Sequence, residues 1–208
     1  VALLKRKNMR KILILLLLTF SLSYASTYLD KFENKIKNIS SIRGKFLQIN
    51  TIEGFDQPQT FIGELYATKP DRLKIVYKDP YRQIILVEGR KSTVYTPEEK
   101  QAVISDLSED FIIVKIFKIL MENRSLKEIF SLDEEKNTDE GILISLVPKN
   151  EKGIKKVDLI IKKDLKIYKI KIYGEDSTVE LQFPDIEYLD KKLDLRLDLP
   201  EDVEIIRQ

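Results

Sequence analysis

From Ser41 to the C-terminus this chain alternates apolar and polar residues with a period of two, and that alternation constrains the fold more than any other feature. In Leu159-Ile160-Ile161-Lys162-Lys163 and Tyr168-Lys169-Ile170-Lys171-Ile172, lysines take one face and apolar side chains the other. Val179, Leu181 and Phe183 alternate in the same way with Glu180 and Gln182. Successive side chains of a strand point to opposite faces, so a sheet with one wet and one dry face is expected. The strand candidates are Ile42–Ile52, Gln59–Ala67, Arg72–Lys78, Arg82–Glu88, Ser92–Tyr95 and Gln101–Asp106, then Ile142–Pro148, Lys155–Lys162, Ile167–Tyr173, Thr178–Phe183 and a last piece near Leu193–Leu199. Gly54, Lys69-Pro70-Asp71, Asp79-Pro80, Gly89 and Pro97 punctuate the first six, and such short turns imply antiparallel pairing. The acidic stretch Asp133 to Glu140 lacks the spacing of an EF-hand and reads as a solvated loop.

Two segments break the period. Leu29, Phe32, Ile36 and Ile39 recur at spacings of three and four, which predicts a helix. In the second, Ser108 is the expected N-cap, and Phe111, Val114, Phe117, Leu120 and Met121 follow at helical spacing. Ile112, Ile113, Ile116 and Ile119 make this helix apolar nearly all round, so it is either fully buried or binds something greasy. Leu126–Phe130 reads as one further short helical turn. The dry face of the sheet needs a cover, and these helices are the only candidates. A curved antiparallel sheet under a helical lid follows.

A length of 208 residues and an apolar fraction of 43% suit one domain with a real core. Cysteine and histidine are absent, which excludes thiol nucleophiles, a Ser-His-Asp triad and thiolate or imidazole metal sites. No phosphate-cradling glycine motif and no nucleophile elbow is present. A carboxylate pair such as Glu64 with Glu88 is weighed for acid–base work, against the plainer reading of solvated strand charges. The lysines from Lys155 to Lys171 read as a solvated convex face, with anionic lipid heads or a partner as the alternative.

The N-terminal stretch has the three parts of a secretory leader. Lys5, Arg6, Lys7, Arg10 and Lys11 are basic, Ile12 to Leu18 are apolar, and Ser23-Tyr24-Ala25 places small residues before an expected cleavage after Ala25. Met9-Arg10-Lys11 alone would supply a sufficient basic region. The domain is then residues 26–208, and an uncleaved anchor is the alternative. The full chain is formally +2, and removing those five basic residues leaves −3, so charge gives no reason to expect nucleic-acid binding.

Several motifs in order carry a family likeness. Gly63, Leu65, Tyr66, Lys69-Pro70, Leu73, Ile75, Pro80, Ile84–Val87, Glu88-Gly89, Tyr95-Thr96-Pro97 and Gln101 follow one another at the spacing of a G-x-L, Arg-Pro, acid-Gly, Tyr-x-Pro signature. Phe46-x-Gln48 lies upstream, and Leu195-x-Leu197-x-x-Pro200-x-x-Val203 downstream. In these residues the chain resembles the LolA family of periplasmic outer-membrane lipoprotein carriers.

The resemblance implies an unclosed β-barrel of about eleven strands with an α-helical lid. It implies a monomeric periplasmic carrier without cofactor, metal or catalytic residues. Acylated lipoproteins would be its cargo, an inner-membrane lipoprotein-releasing ABC transporter its source, and an outer-membrane lipoprotein acceptor its destination. Taking an acyl chain through water costs about 0.8 kcal/mol per CH₂, on the order of 10 kcal/mol for a long chain, which a dry cavity avoids. The expected cavity lining is Leu73, Ile75, Ile84, Leu86, Tyr168, Ile170, Val179 and Leu181, with Phe117, Leu120 and Met121 from the lid. Lys69 stands where the family has an arginine that latches the lid, and a single ammonium offers fewer bonds than a guanidinium fork. A sensor or binding module on the same fold is the second reading, and a carboxylate hydrolase the third.

Overall fold

The longest strand, β1 (Ser41–Ile52), is the seam of the sheet in the computed structural model, which describes residues 26–106, 112–150 and 153–208. The leader and the expected N-cap Ser108 lie outside those residues. On one side of β1 the hairpin strands β2 (Gln59–Thr68), β3 (Arg72–Asp79), β4 (Gln83–Glu88), β5 (Lys91–Thr96) and β6 (Gln101–Asp106) follow as an antiparallel meander. On the other side β11 (Ser177–Gln182) pairs with β1, then β10 (Ile167–Gly174), β9 (Ile154–Ile161), β8 (Ile142–Pro148) and β7 (Phe130–Asn137) continue outward. The short β12 (Glu187–Leu189) pairs with the start of β1, and β13 (Glu204–Arg207) runs parallel to β6. The outer strands β13 and β7 do not pair with each other, so the thirteen-stranded sheet stays an open half-barrel.

Cross-strand register defines the concave face. Ile42, Ala67, Leu73 and Val87 form one row across it, and Leu65, Ile75 and Ile85 the next. On the other half Leu181, Ile170, Leu159 and Ile144 form a row that continues from Gln48 of β1. Nearly all of these apolar side chains are buried in one core cluster. Between β11 and β12 the segment 183–186 arches past Gly44, where a Cβ would lie 3.0 Å from the Ile186 backbone. Asp185 accepts a hydrogen bond from the Lys45 amide at 2.9 Å, satisfying a strand group that the arch leaves without a ladder partner.

Helices α1 (Tyr28–Lys37) and α2 (Ile112–Met121) cover this face. Thr27 and Asp30 form a reciprocal capping box that starts α1. Leu29, Phe32 and Ile36 fall on one stripe and are almost wholly buried, each contributing about 1.5–3 kcal/mol. The all-round apolarity of α2 has a packing cause: it touches α1 as well as β2 and β3, and seven of its ten residues are buried. Ser125 caps the 3-10 turn Leu126–Glu128, at the expected short helical turn.

Two expectations are corrected, and two short strands were not foreseen. The acidic stretch expected as a loop is mostly edge strand β7, because its backbone pairs with β8 although its side chains are charged. The piece near Leu193–Leu199 is extended but joins no ladder. Its backbone bonds side chains of the convex face instead, with the Leu193 amide on the hydroxyls of Ser41 (3.0 Å) and Thr68 (3.2 Å), and Lys74 Nζ on the Arg196 carbonyl at 2.7 Å. The short strands β12 and β13 carry too few residues for a visible alternation, and the sequence reading missed both.

Candidate functional site

The concave face is covered unevenly. Toward the rim formed by the β2–β3 and β4–β5 turns, Ala67, Leu73 and Val87 are buried beneath the helices. Toward the opposite rim, formed by the β1–β2 and β3–β4 turns, cover thins and aromatic rings take over. Phe46 contacts Tyr77 edge-on at 5.4 Å, Tyr77 contacts Phe61 at 6.0 Å, and Phe61 contacts Tyr81 at 5.9 Å. This ladder of rings leads from the core to solvent, since Phe46 is 2% exposed and Tyr81 50%. Phe46 lies over Gly63 opposite, where a Cβ would come within 2.5 Å of the ring.

Polar groups line the same mouth. The Tyr77 hydroxyl donates to Gln48 Oε1 at 2.9 Å, and Gln48 Nε2 donates to Asn50 Oδ1 at 2.9 Å. Burial pushes the Tyr77 hydroxyl up to about 12, which keeps it a neutral donor at physiological pH.

The lid is tied down by charges that match its helix dipole. At the N-terminus of α1, the Glu135 carboxylate of β7 accepts the amides of Tyr28 (3.0 Å) and Leu29 (2.7 Å). At the C-terminus, Lys69 Nζ donates to the carbonyls of Ile36 and Lys37, both at 2.9 Å. Burial lowers the Lys69 pKa, because the ammonium has exchanged water for two carbonyls. Glu33, buried on α1, accepts the Ser125 hydroxyl (2.9 Å) and the Leu126 amide (2.7 Å), joining α1 to the turn after α2. Lys118 of α2 donates to the Gly89 carbonyl in the β4–β5 turn.

Of the residues expected from sequence, Leu73, Ile75, Ile170, Leu181, Phe117, Leu120 and Met121 meet in the core beneath and within the lid, with Val179 at its margin. Ile84, Leu86 and Tyr168 are corrections. Ile75 pairs with Ile85 and Leu73 with Val87, so Ile85 and Val87 face in while Ile84 and Leu86 face the convex side. There Leu86, Tyr95, Ala102 and Leu195 are buried outside the main core, where the 193–199 segment crosses. An irregularity between Ile167 and Lys169 turns Tyr168 out of the alternation, and its ring lies against the Lys162 ammonium, 3.5 Å from the centroid. Tyr168 instead joins the wall of an open cleft of ≈ 850 Å³ outside the lid, lined by Ile167, Phe183 and Ile186 together with charged residues such as Glu140, Lys162 and Asp164.

Sequence reasoning missed Glu33, Glu135 and Lys118, since a charge inside a helix or on an edge strand signals nothing until its partner is placed. It matched Phe46-x-Gln48 as part of the family pattern without assigning a role to Gln48 or Asn50.

The sequence matches the model of the family described as outer membrane lipoprotein carrier protein LolA over residues 37–193, from the end of α1 to the start of the convex-face segment. The chain belongs to the LolA family. An outer-membrane lipoprotein carrier protein of Francisella philomiragia is 28% identical over 210 residues, covering 95% of this chain and 98% of that one. A second, from Francisella tularensis subsp. novicida, is 27% identical over 209 residues, covering 95% and 97%. An uncharacterized conserved protein from Thermus thermophilus shares the fold with a TM-score of 0.54 at 13% identity, covering 86% of this chain and 97% of that one. LolA proteins are carriers, not enzymes, and the carboxylates weighed above do not converge. Glu64 is bound by Lys78 and Tyr66, which hold it below its ordinary pKa, while Glu88 pairs with Arg72 at 3.1 Å in a row nearer the opposite rim.

Proposed function

We propose that this chain is a periplasmic carrier that takes up the acyl chains of lipoproteins released from the inner membrane by an ABC transporter and passes them to an outer-membrane acceptor. Residues 1–25 act as its export signal, and the carrier works as a monomer. One observation carries the reading: a LolA-family sheet with an apolar concave face, closed by helices at one rim and opening through a ladder of aromatic rings at the other. Acyl chains replace the lid side chains on that face when the helices move away, so their apolar area leaves water without covalent chemistry. Lys69 acts as the latch, holding α1 shut through two carbonyls until cargo displaces the lid.

The test is release of a lipidated substrate from inner-membrane vesicles that contain the transporter. Purified protein is expected to bring the substrate into the soluble fraction in a one-to-one complex, then yield it to outer membranes. Failure to release it overturns the reading. Binding with no onward transfer would favour a lipid-sensing module on the same fold.

A further inference from the structure

The mouth of the concave face carries a polar arrangement that acyl chains alone do not need. Along β1 the inward residues are Ile42, Gly44, Phe46, Gln48 and Asn50, so the strand turns from apolar to amide as it nears the open rim. Asn50 sits opposite Val179, the inward apolar residue of β11 nearest the β10–β11 turn, and both are only partly buried. The hydrogen bonds run one way: Tyr77 hydroxyl to Gln48 oxygen, then Gln48 nitrogen to Asn50 oxygen. Asn50 Oδ1 is thereby engaged, and among the described residues its amide NH₂ meets no acceptor. The chain of bonds presents two N–H donors at the boundary between apolar face and solvent.

Acylated lipid has its complementary group at that boundary. With tails lying along the concave face, the linkages that join them to the head fall where the face meets water. Those linkages are esters and amides, whose carbonyl oxygens accept hydrogen bonds and cannot donate them through oxygen. A carbonyl drawn into a partly dry mouth without a donor loses its water for nothing, so a preset donor there favours one insertion depth.

We propose that Asn50, oriented by Gln48 and Tyr77, donates a hydrogen bond to an acyl carbonyl of the bound lipid and so sets how deep the tails enter. This rests on the carrier reading above. Gln48 and Tyr77 are positioning residues, because they act on the lipid through Asn50.

The experiment compares binding of two probes to the purified protein: a diacylglyceryl-cysteine peptide with ester-linked tails, and its dialkyl ether analogue with equal tails and no tail carbonyls. Wild type is expected to bind the ester about fivefold more tightly, the worth of one net hydrogen bond. Asn50→Leu is expected to bring the ester down to the ether and leave ether binding unchanged. Asn50→Asp keeps size and the bond from Gln48 but has no N–H, and is expected to lose the preference too, with thermal melts confirming that both variants fold. An ester preference shared by a short-chain diacyl phosphatidylglycerol over its diether supports the contact and widens its source to phospholipid. Equal binding of ester and ether by wild type, or a preference kept by Asn50→Asp, overturns the inference while the carrier reading stands. Loss of both probes in parallel in a folded Asn50→Leu assigns Asn50 to packing and also overturns it. No binding of either probe by wild type overturns the carrier reading itself.

Discussion

Lys69 shows what one side chain contributes at a helix end. The last carbonyls of α1 lack the bond from four residues on; that of Ile36 accepts the Ile39 amide at 3.3 Å, and Lys69 Nζ adds a bond to it and one to that of Lys37 from the sheet. Lysine thus makes more of this contact than its single ammonium suggested, since both bonds go to neighbouring carbonyls. Lys69→Leu removes them and should loosen α1 by about 1–2 kcal/mol, while Lys69→Arg should restore it. Hydrogen exchange of the α1 amides measures this; unchanged exchange in Lys69→Leu would leave Lys69 as turn chemistry only. In a transfer assay, the same Leu variant is expected to hold cargo and pass it on poorly. At the other end of α1, Lys127 first, then Thr27, hold Asp30 below its ordinary pKa of 3.8. A carboxylate depressed on folding stabilises the folded state fully above 3.8 and loses that contribution as pH falls through its folded value. The protection of the first α1 amides, measured against their intrinsic exchange rate at each pH, should therefore fall only below pH 3.8, and Asp30→Asn should flatten that dependence.

At the scale of elements, the convex-face segment explains a pattern that alternation alone could not. Strands β10 and β11 alternate over Lys169–Ile172 and Val179–Gln182 because their outer face meets water, and their lysines pair there with acids such as Glu140 and Glu180. Strand β4 reads Ile84-Ile85-Leu86-Val87 without a break because both its faces are covered, by the lid inside and by the Leu193–Leu199 segment outside. Four apolar residues in a row hold no parity information, which is why Ile84 and Leu86 were expected to face the cavity. Their register against β3 decides it. Leu195 is 4% exposed there, so Leu195→Ala should cost about 2–4 kcal/mol in thermal or urea unfolding. A neutral result would mean that the segment rests on the sheet without holding it.

For the whole molecule, the helical cover is held at several separate points. Glu33 is the hub on the helical side, because it joins α1 to the turn after α2. Glu33→Ala leaves a buried amide at Leu126 without its acceptor, a loss of about 1–3 kcal/mol. If lid opening limits uptake, that variant should melt earlier and take up a fluorescent acyl probe faster. A lower melting temperature with unchanged uptake would place the slow step elsewhere.

Much of this was legible in the residues themselves. Period-two alternation, the amphipathic α1, the all-apolar α2 and the ordered motifs around Lys69-Pro70 determined an antiparallel sheet, a helical cover and the family. These are local signals, because a side chain's face follows from its position in a strand or helix turn. What only the tertiary structure decided were relations between distant segments. The acidic stretch became strand β7 because β8 supplied its hydrogen bonds, and Glu135 gained its role from an α1 amide pair more than a hundred residues away. Ile84, Leu86 and Tyr168 took their faces from register and an irregular pairing, and Asn50 became a candidate lipid contact only once Gln48 and Tyr77 stood beside it. Burial, pairing and charge compensation depend on which surfaces meet, and no window of sequence contains both.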